Sequence, residues 1–119
     1  MTMNNQVFIQ KLELIQEKFD GLTQALSDPK IIADQAQFQR LAKERADLEE
    51  VMEQYRQFKT VLKEIEATEE MLRDARAEAG LREMAEQERR ELSTRKDRLE
   101  QQLRRLLLPR GRIALTRAA

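Results

Sequence analysis

The chain contains no cysteine and no histidine. It therefore offers no disulfide framework, no thiol nucleophile, no imidazole base and none of the usual zinc sites. Tryptophan is also absent, and four Phe and one Tyr are the only aromatics. Strands draw on aromatic and β-branched residues, so their scarcity argues against a sheet. Only two Pro and three Gly interrupt 119 residues. Gly21, Gly80 and Gly111 stand too far apart to form a phosphate-cradling loop. The longest run of large aliphatics is Leu106 to Leu108, against the ~20 apolar residues that a membrane span needs. Met1 to Gln10 lacks the basic segment and apolar run of a signal peptide. These absences predict no membrane partner, no cofactor and a cytoplasmic location.

What is abundant is charge, at 37% of residues, together with Leu, Ala, Glu, Lys and Arg. That composition favours long helices. Net charge is zero, but unevenly placed. Residues 1–81 hold 11 basic and 16 acidic side chains, whereas residues 82–119 hold 11 basic and 6 acidic. The basic end can meet RNA or remain a solvated tail.

Three helices are legible. In the first, Gln6 to Leu26, the residues Phe8, Leu12, Ile15, Phe19, Leu22 and Leu26 step by 4, 3, 4, 3, 4, which is one coiled-coil-like apolar seam. Pro29 disfavours helical geometry at Asp28 and ends it. Asp34 caps a second helix, with Gln37 completing a capping-box pattern. No Gly or Pro then occurs until Gly80, so the second helix is predicted over 35–76. Its seam runs Phe38, Leu41, Arg45, Leu48, Met52, Tyr55 and then Phe58, Leu62, Ile65, Glu69, Leu72. Two steps of three meet at Tyr55, which rotates the seam and predicts a change of partner there. The third helix opens near Leu81 and closes before Pro109. Its expected seam is Leu81, Met84, Glu88, Leu92, Arg95, Leu99, Leu103, Leu106. Short connections make neighbouring helices antiparallel. The predicted fold is all-α: an elongated antiparallel three-helix bundle with coiled-coil-like packing and a long central helix. The bundle covers residues 1–109, and 110–119 form a basic, disordered tail.

Catalytic chemistry is not apparent. Glu49, Glu50 and Glu53, and Glu64, Glu66, Glu69 and Glu70, form acidic clusters. On a helix these read as solvated faces, because hard-cation sites need a shaped set of oxygen ligands. Arg104, Arg105, Arg110, Arg112 and Arg117 have no aromatic neighbours on which bases could stack, which leaves weak, non-specific RNA contact. The turn between the second and third helices carries Arg73, Arg76 and Arg82. Hairpin tips are exposed and often bind. These arginines are the candidate contact residues, the alternative being an ordinary polar turn.

Read in order, several segments resemble the first domain of the bacterial peptide chain release factor 1 family. They are Ile32-Ala33-Asp34-Gln35 with Phe38, Leu81-Arg82-Glu83-Met84-Ala85, Leu99-Glu100-Gln101-Gln102-Leu103, and Leu106-Leu107-Leu108-Pro109. The resemblance covers roughly residues 6–109. It implies a helical ribosome-docking module that leans on the large subunit near the base of its stalk. In that family a tripeptide in a second domain reads the stop codon, and a Gly-Gly-Gln loop in a third promotes release. The present sequence has no adjacent glycines. The resemblance thus implies a non-catalytic part of a translation-termination factor, without codon-reading and Gly-Gly-Gln domains. The alternative is a stand-alone structural coiled-coil protein that associates with itself or another helix.

Overall fold

The computed structural model describes residues 4–74, 76 and 78–108. The fold is all-α, with no strand among the described residues. Among the described residues four helices follow in order: α1 Asn5–Ala25, α2 Pro29–Ala33, α3 Gln35–Arg73 and α4 Ala79–Leu106. The expected basic tail at 110–119 lies outside the described residues.

The helix starts follow local chemistry. The Asn4 side chain accepts the Val7 N–H at 2.8 Å, satisfying one of the donors that a helix N-terminus leaves unpaired. Asp34 does the same for Gln37 at 3.2 Å, so the expected cap on the long helix is present. The short α2 was not expected. Pro29 does end the preceding helix, since Asp28 before it is extended at ψ 123°. Yet Pro is also well suited to the first turn of a helix, where its missing N–H costs nothing. Asp28 caps that turn by accepting the Lys30 N–H at 2.9 Å. One proline thus stops one helix and starts another. The long helix ends at Arg73 rather than 76.

Two compact units divide the chain. The first comprises α1, α2, α3 through Glu53, and the end of α4 from Leu103. The second pairs α3 from Gln54 with α4 through Gln102. The change of partner along α3 therefore occurs beside Tyr55, where the stepping pattern placed it. Its buried residues show why. Met52, Tyr55, Phe58 and Val61 are all buried, and each is three residues from the last. Three residues fall short of a full turn, so each step turns the seam in one direction around the helix. One further step of three than expected makes Val61 the core residue and leaves Leu62 on the surface. The seam then passes through Thr68, not Glu69. Thr68 is buried without loss because its hydroxyl donates to the Glu64 carbonyl at 2.8 Å.

In the first unit the α1 seam is as expected. Phe8, Leu12, Ile15, Phe19 and Leu22 are buried, while Leu26 is half-buried. Arg45 interrupts the matching α3 seam for a physical reason. Its guanidinium lies 4.4 Å from the centre of the Phe19 ring. Its Nε donates to the Thr23 hydroxyl at 2.8 Å, and its Nη1 to Glu49 at 2.9 Å. The arginine stem covers the aromatic face while its charge stays at the rim. This contact joins the last turns of α1 to the early part of α3, so the two helices run antiparallel. The end of α4 repeats the device: Arg104 lies 4.4 Å above Phe8 and donates to Asn5 at 2.7 Å.

The α4 seam keeps the expected Leu92, Leu99 and Leu103 but moves by one residue at other positions. Leu81 and Met84 are 50% and 69% exposed, and Glu88 and Arg95 are exposed as well. The buried residues are Ala85, Leu92, Leu99, Leu103 and Leu107, with Arg89 and Lys96 half-buried between them. Reading for bulk favoured Met84 over its small neighbour Ala85. Leu107 replaces Leu106, which is half-buried.

Urea titration followed by circular dichroism tests this packing. Leu103, with no exposed surface, should cost about 2–5 kcal/mol when changed to Ala. An unchanged midpoint would contradict the seat of the α4 end in the first unit. Gly21 is helical and exposed, and a Cβ there would meet nothing within 4 Å. Gly21→Ala should therefore add up to about 1 kcal/mol.

Candidate docking site

The turn between α3 and α4 lies wholly in the second unit. Residues 75 and 77 fall outside the described residues. Arg73 is the last residue of α3 and is exposed. The Arg76 side chain is 96% exposed. Arg82, in the first turn of α4, is also exposed. The structure thus brings all three predicted arginines to one surface turn.

Asp74 organises that turn, and sequence reasoning had passed over it. Its carboxylate accepts the Arg76 N–H at 3.0 Å and lies 3.9 Å from the Arg76 Nε. Its carbonyl accepts from the Arg82 guanidinium at 3.0 Å. Aspartate accepting the N–H two residues on is a frequent turn device, and that spacing was the available signal. The charge balance is also less basic than the arginines alone suggest. Residues 70–84 hold Arg73, Arg76 and Arg82 against Glu70, Asp74, Glu78 and Glu83, which is three positive charges and four negative.

The apolar residues of the turn were missed as surface residues. Met71 is 49% exposed and, with Leu81 and Met84, places three of the eight exposed large apolar side chains among the described residues within residues 71–84. Methionine and leucine on helix seams are most simply core, and Met52 at 4% exposure follows that rule. The seam shift on α4 is what turned Leu81 and Met84 outward. The result is a mixed surface of apolar side chains among guanidinium and carboxylate groups. Such a composition suits an interface more than a bare charged patch does.

One turn further into α4, Arg89 forms an ion pair with Glu86. This hydrogen bond, helped by the charges of Arg89, Arg90 and Arg82, holds the Glu86 carboxyl below its ordinary value. Because the carboxylate form is favoured in the fold, the pair supports the helix above the usual glutamate range and weakens as pH falls through the lowered value. In Arg89→Ala the Glu86 carboxyl should titrate at higher pH by NMR. An unmoved titration would mean that the pair is not formed in solution.

Of the other arginines weighed for phosphate contact, Arg104 is occupied by Phe8 and Asn5, and Arg105 is exposed. Arg110, Arg112 and Arg117 lie outside the described residues. Among the described residues no helix is long and apolar enough to cross a membrane.

Comparison with known proteins gives a consistent family. The PCRF domain family matches residues 15–117. Peptide chain release factor 1 of Clostridium acetobutylicum is 39% identical over 102 residues, covering 86% of this chain and 28% of that protein. Peptide chain release factor 1 of Alkaliphilus metalliredigens is 40% identical over 101 residues, covering 85% of this chain and 28% of that protein. The protein of the same name from Alkaliphilus oremlandii is 40% identical over 102 residues, covering 86% and 29% respectively. The chain spans less than a third of the length of these curated relatives. No solved structure gives a significant match.

Proposed function

The chain belongs to the PCRF domain family, and on that premise we propose that it is the helical first domain of a translation-termination factor, a module that docks on the ribosome without catalysing release. The observation that carries this reading is the likeness to peptide chain release factor 1 across 86% of the chain. The proposed domain spans residues 1–109. Its proposed seat is the large subunit near the stalk base, as the resemblance implies.

The docking surface is the α3–α4 turn. Three features support it. The turn is exposed at Arg73, Arg76 and Arg82. It shows Met71, Leu81 and Met84 to solvent. Asp74 also fixes the start of α4 to the end of α3 through Arg82, so the surface is partly ordered before any partner arrives. Preorganisation lowers the entropy cost of binding. The arginines supply long-range attraction to an acidic ribosomal surface, and the apolar residues supply the desolvated contact. On this reading the module acts by position alone.

Co-sedimentation of the purified chain with intact bacterial ribosomes tests the reading. Pelleting should persist at physiological salt, whereas generic attraction of basic residues to RNA would fade steeply with salt. Changing Arg73, Arg76 and Arg82 together to Glu should weaken pelleting by roughly tenfold or more, with helix content unchanged. Undiminished pelleting of that variant would move the docking surface elsewhere. A stable dimer with no affinity for ribosomes would favour the helix-partner reading instead.

A further inference from the structure

Methionine sulfur is a soft nucleophile whose oxidation follows its access to solvent. The described residues contain three methionines in very different settings. Met52 is 4% exposed within the buried seam of α3. Met71 is 49% exposed in the last turn of α3, and Met84 is 69% exposed near the start of α4. Both exposed methionines flank the turn that Asp74 organises, and both belong to the apolar part of the proposed docking surface. Neither belongs to the buried set, which here includes Thr68 on α3 and Ala85 on α4.

We propose that Met71 and Met84 form a reversible oxidation site that switches the α3–α4 surface between a docking and a non-docking form. The oxidant is a peroxide. A sulfur lone pair attacks the terminal peroxide oxygen, the O–O bond breaks, an S–O bond forms, and water or an alcohol leaves. Sulfur is oxidised by two electrons and the peroxide is reduced by two. The reverse step uses a dithiol reductant acting through a sulfoxide reductase: the S–O bond breaks, the oxygen leaves as water, and the dithiol becomes a disulfide. Each sulfoxide replaces a flexible apolar side chain with a strongly polar one. On the surface this costs the fold little. At an interface that desolvates these side chains, the sulfoxide oxygen must give up water, which weakens binding. The effect on binding rests on the docking reading above, whereas the selectivity of oxidation does not.

The experiment treats the 119-residue chain with hydrogen peroxide, digests it with trypsin and follows each methionine separately. Met52, Met71 and Met84 fall on the distinct peptides 46–56, 64–73 and 83–89, and Met1 and Met3 on another. The 64–73 and 83–89 peptides should gain one oxygen at least about tenfold faster than 46–56, with no loss of helical circular dichroism. The oxidised chain should pellet less with ribosomes, and sulfoxide reductase with dithiol should restore pelleting. In the variant carrying Met71→Leu and Met84→Leu, a volume-conserving change, peroxide should leave pelleting at the level shown by the same variant before treatment. Equal oxidation of Met52 would overturn the site. Selective oxidation with undiminished pelleting would overturn the switch and leave docking intact. If the untreated chain does not pellet at all, the docking reading and the switch fail together, and the peptide comparison alone decides the site.

Discussion

One helix serving two sets of partners is the constraint on which the remainder of the structure depends. α3 has a single backbone but must present its apolar side to different neighbours before and after Glu53. Coiled-coil stepping of 3 and 4 would keep one seam facing one way. The run Met52, Tyr55, Phe58, Val61 rotates it instead. Everything downstream on α3 is set by that rotation, including the burial of Thr68 and the exposure of Leu62.

A core poor in aromatics also needs its few rings fully covered. Three cations do part of this: Arg45 over Phe19, Lys59 over Tyr55 and Arg104 over Phe8. A long basic side chain covers a ring with its stem and keeps its charge wet, so it seals the core edge where a leucine would leave apolar surface exposed. This explains why charged residues sit on seams that otherwise read as hydrophobic. It also reduces the number of arginines free to bind anything else.

Much of the fold was legible because its signals are local. The 3 and 4 spacing on α1, the Asp34 cap and the long interval without Gly or Pro are properties of neighbouring residues. What escaped reading depends on the third dimension. Ala85 is core because it packs closely, which bulk alone does not reveal. Met84 is surface for the same reason. Pro29 was legible as a stop but not as a start, since both uses share one preference for φ. At the candidate site the arginines were visible as charges in a turn. The Asp74 carbonyl that receives Arg82 could not be seen, because a backbone acceptor leaves no mark in the side-chain pattern.

The hydrogen bond from Arg104 to Asn5 joins residues 99 positions apart, whereas Arg45 and Thr23 are only 22 apart. Closing the longer loop costs roughly 1 kcal/mol more entropy than closing the shorter. The second unit is built from one uninterrupted segment, Gln54–Gln102, and needs no such closure. The first unit needs two separate segments. The hairpin of the second unit can therefore assemble as soon as its own residues are available, and it delivers Leu103 and Leu107 as the last pieces of the first. During synthesis the earliest residues of α1 wait until Leu103 and Leu107 have been made before their core is complete.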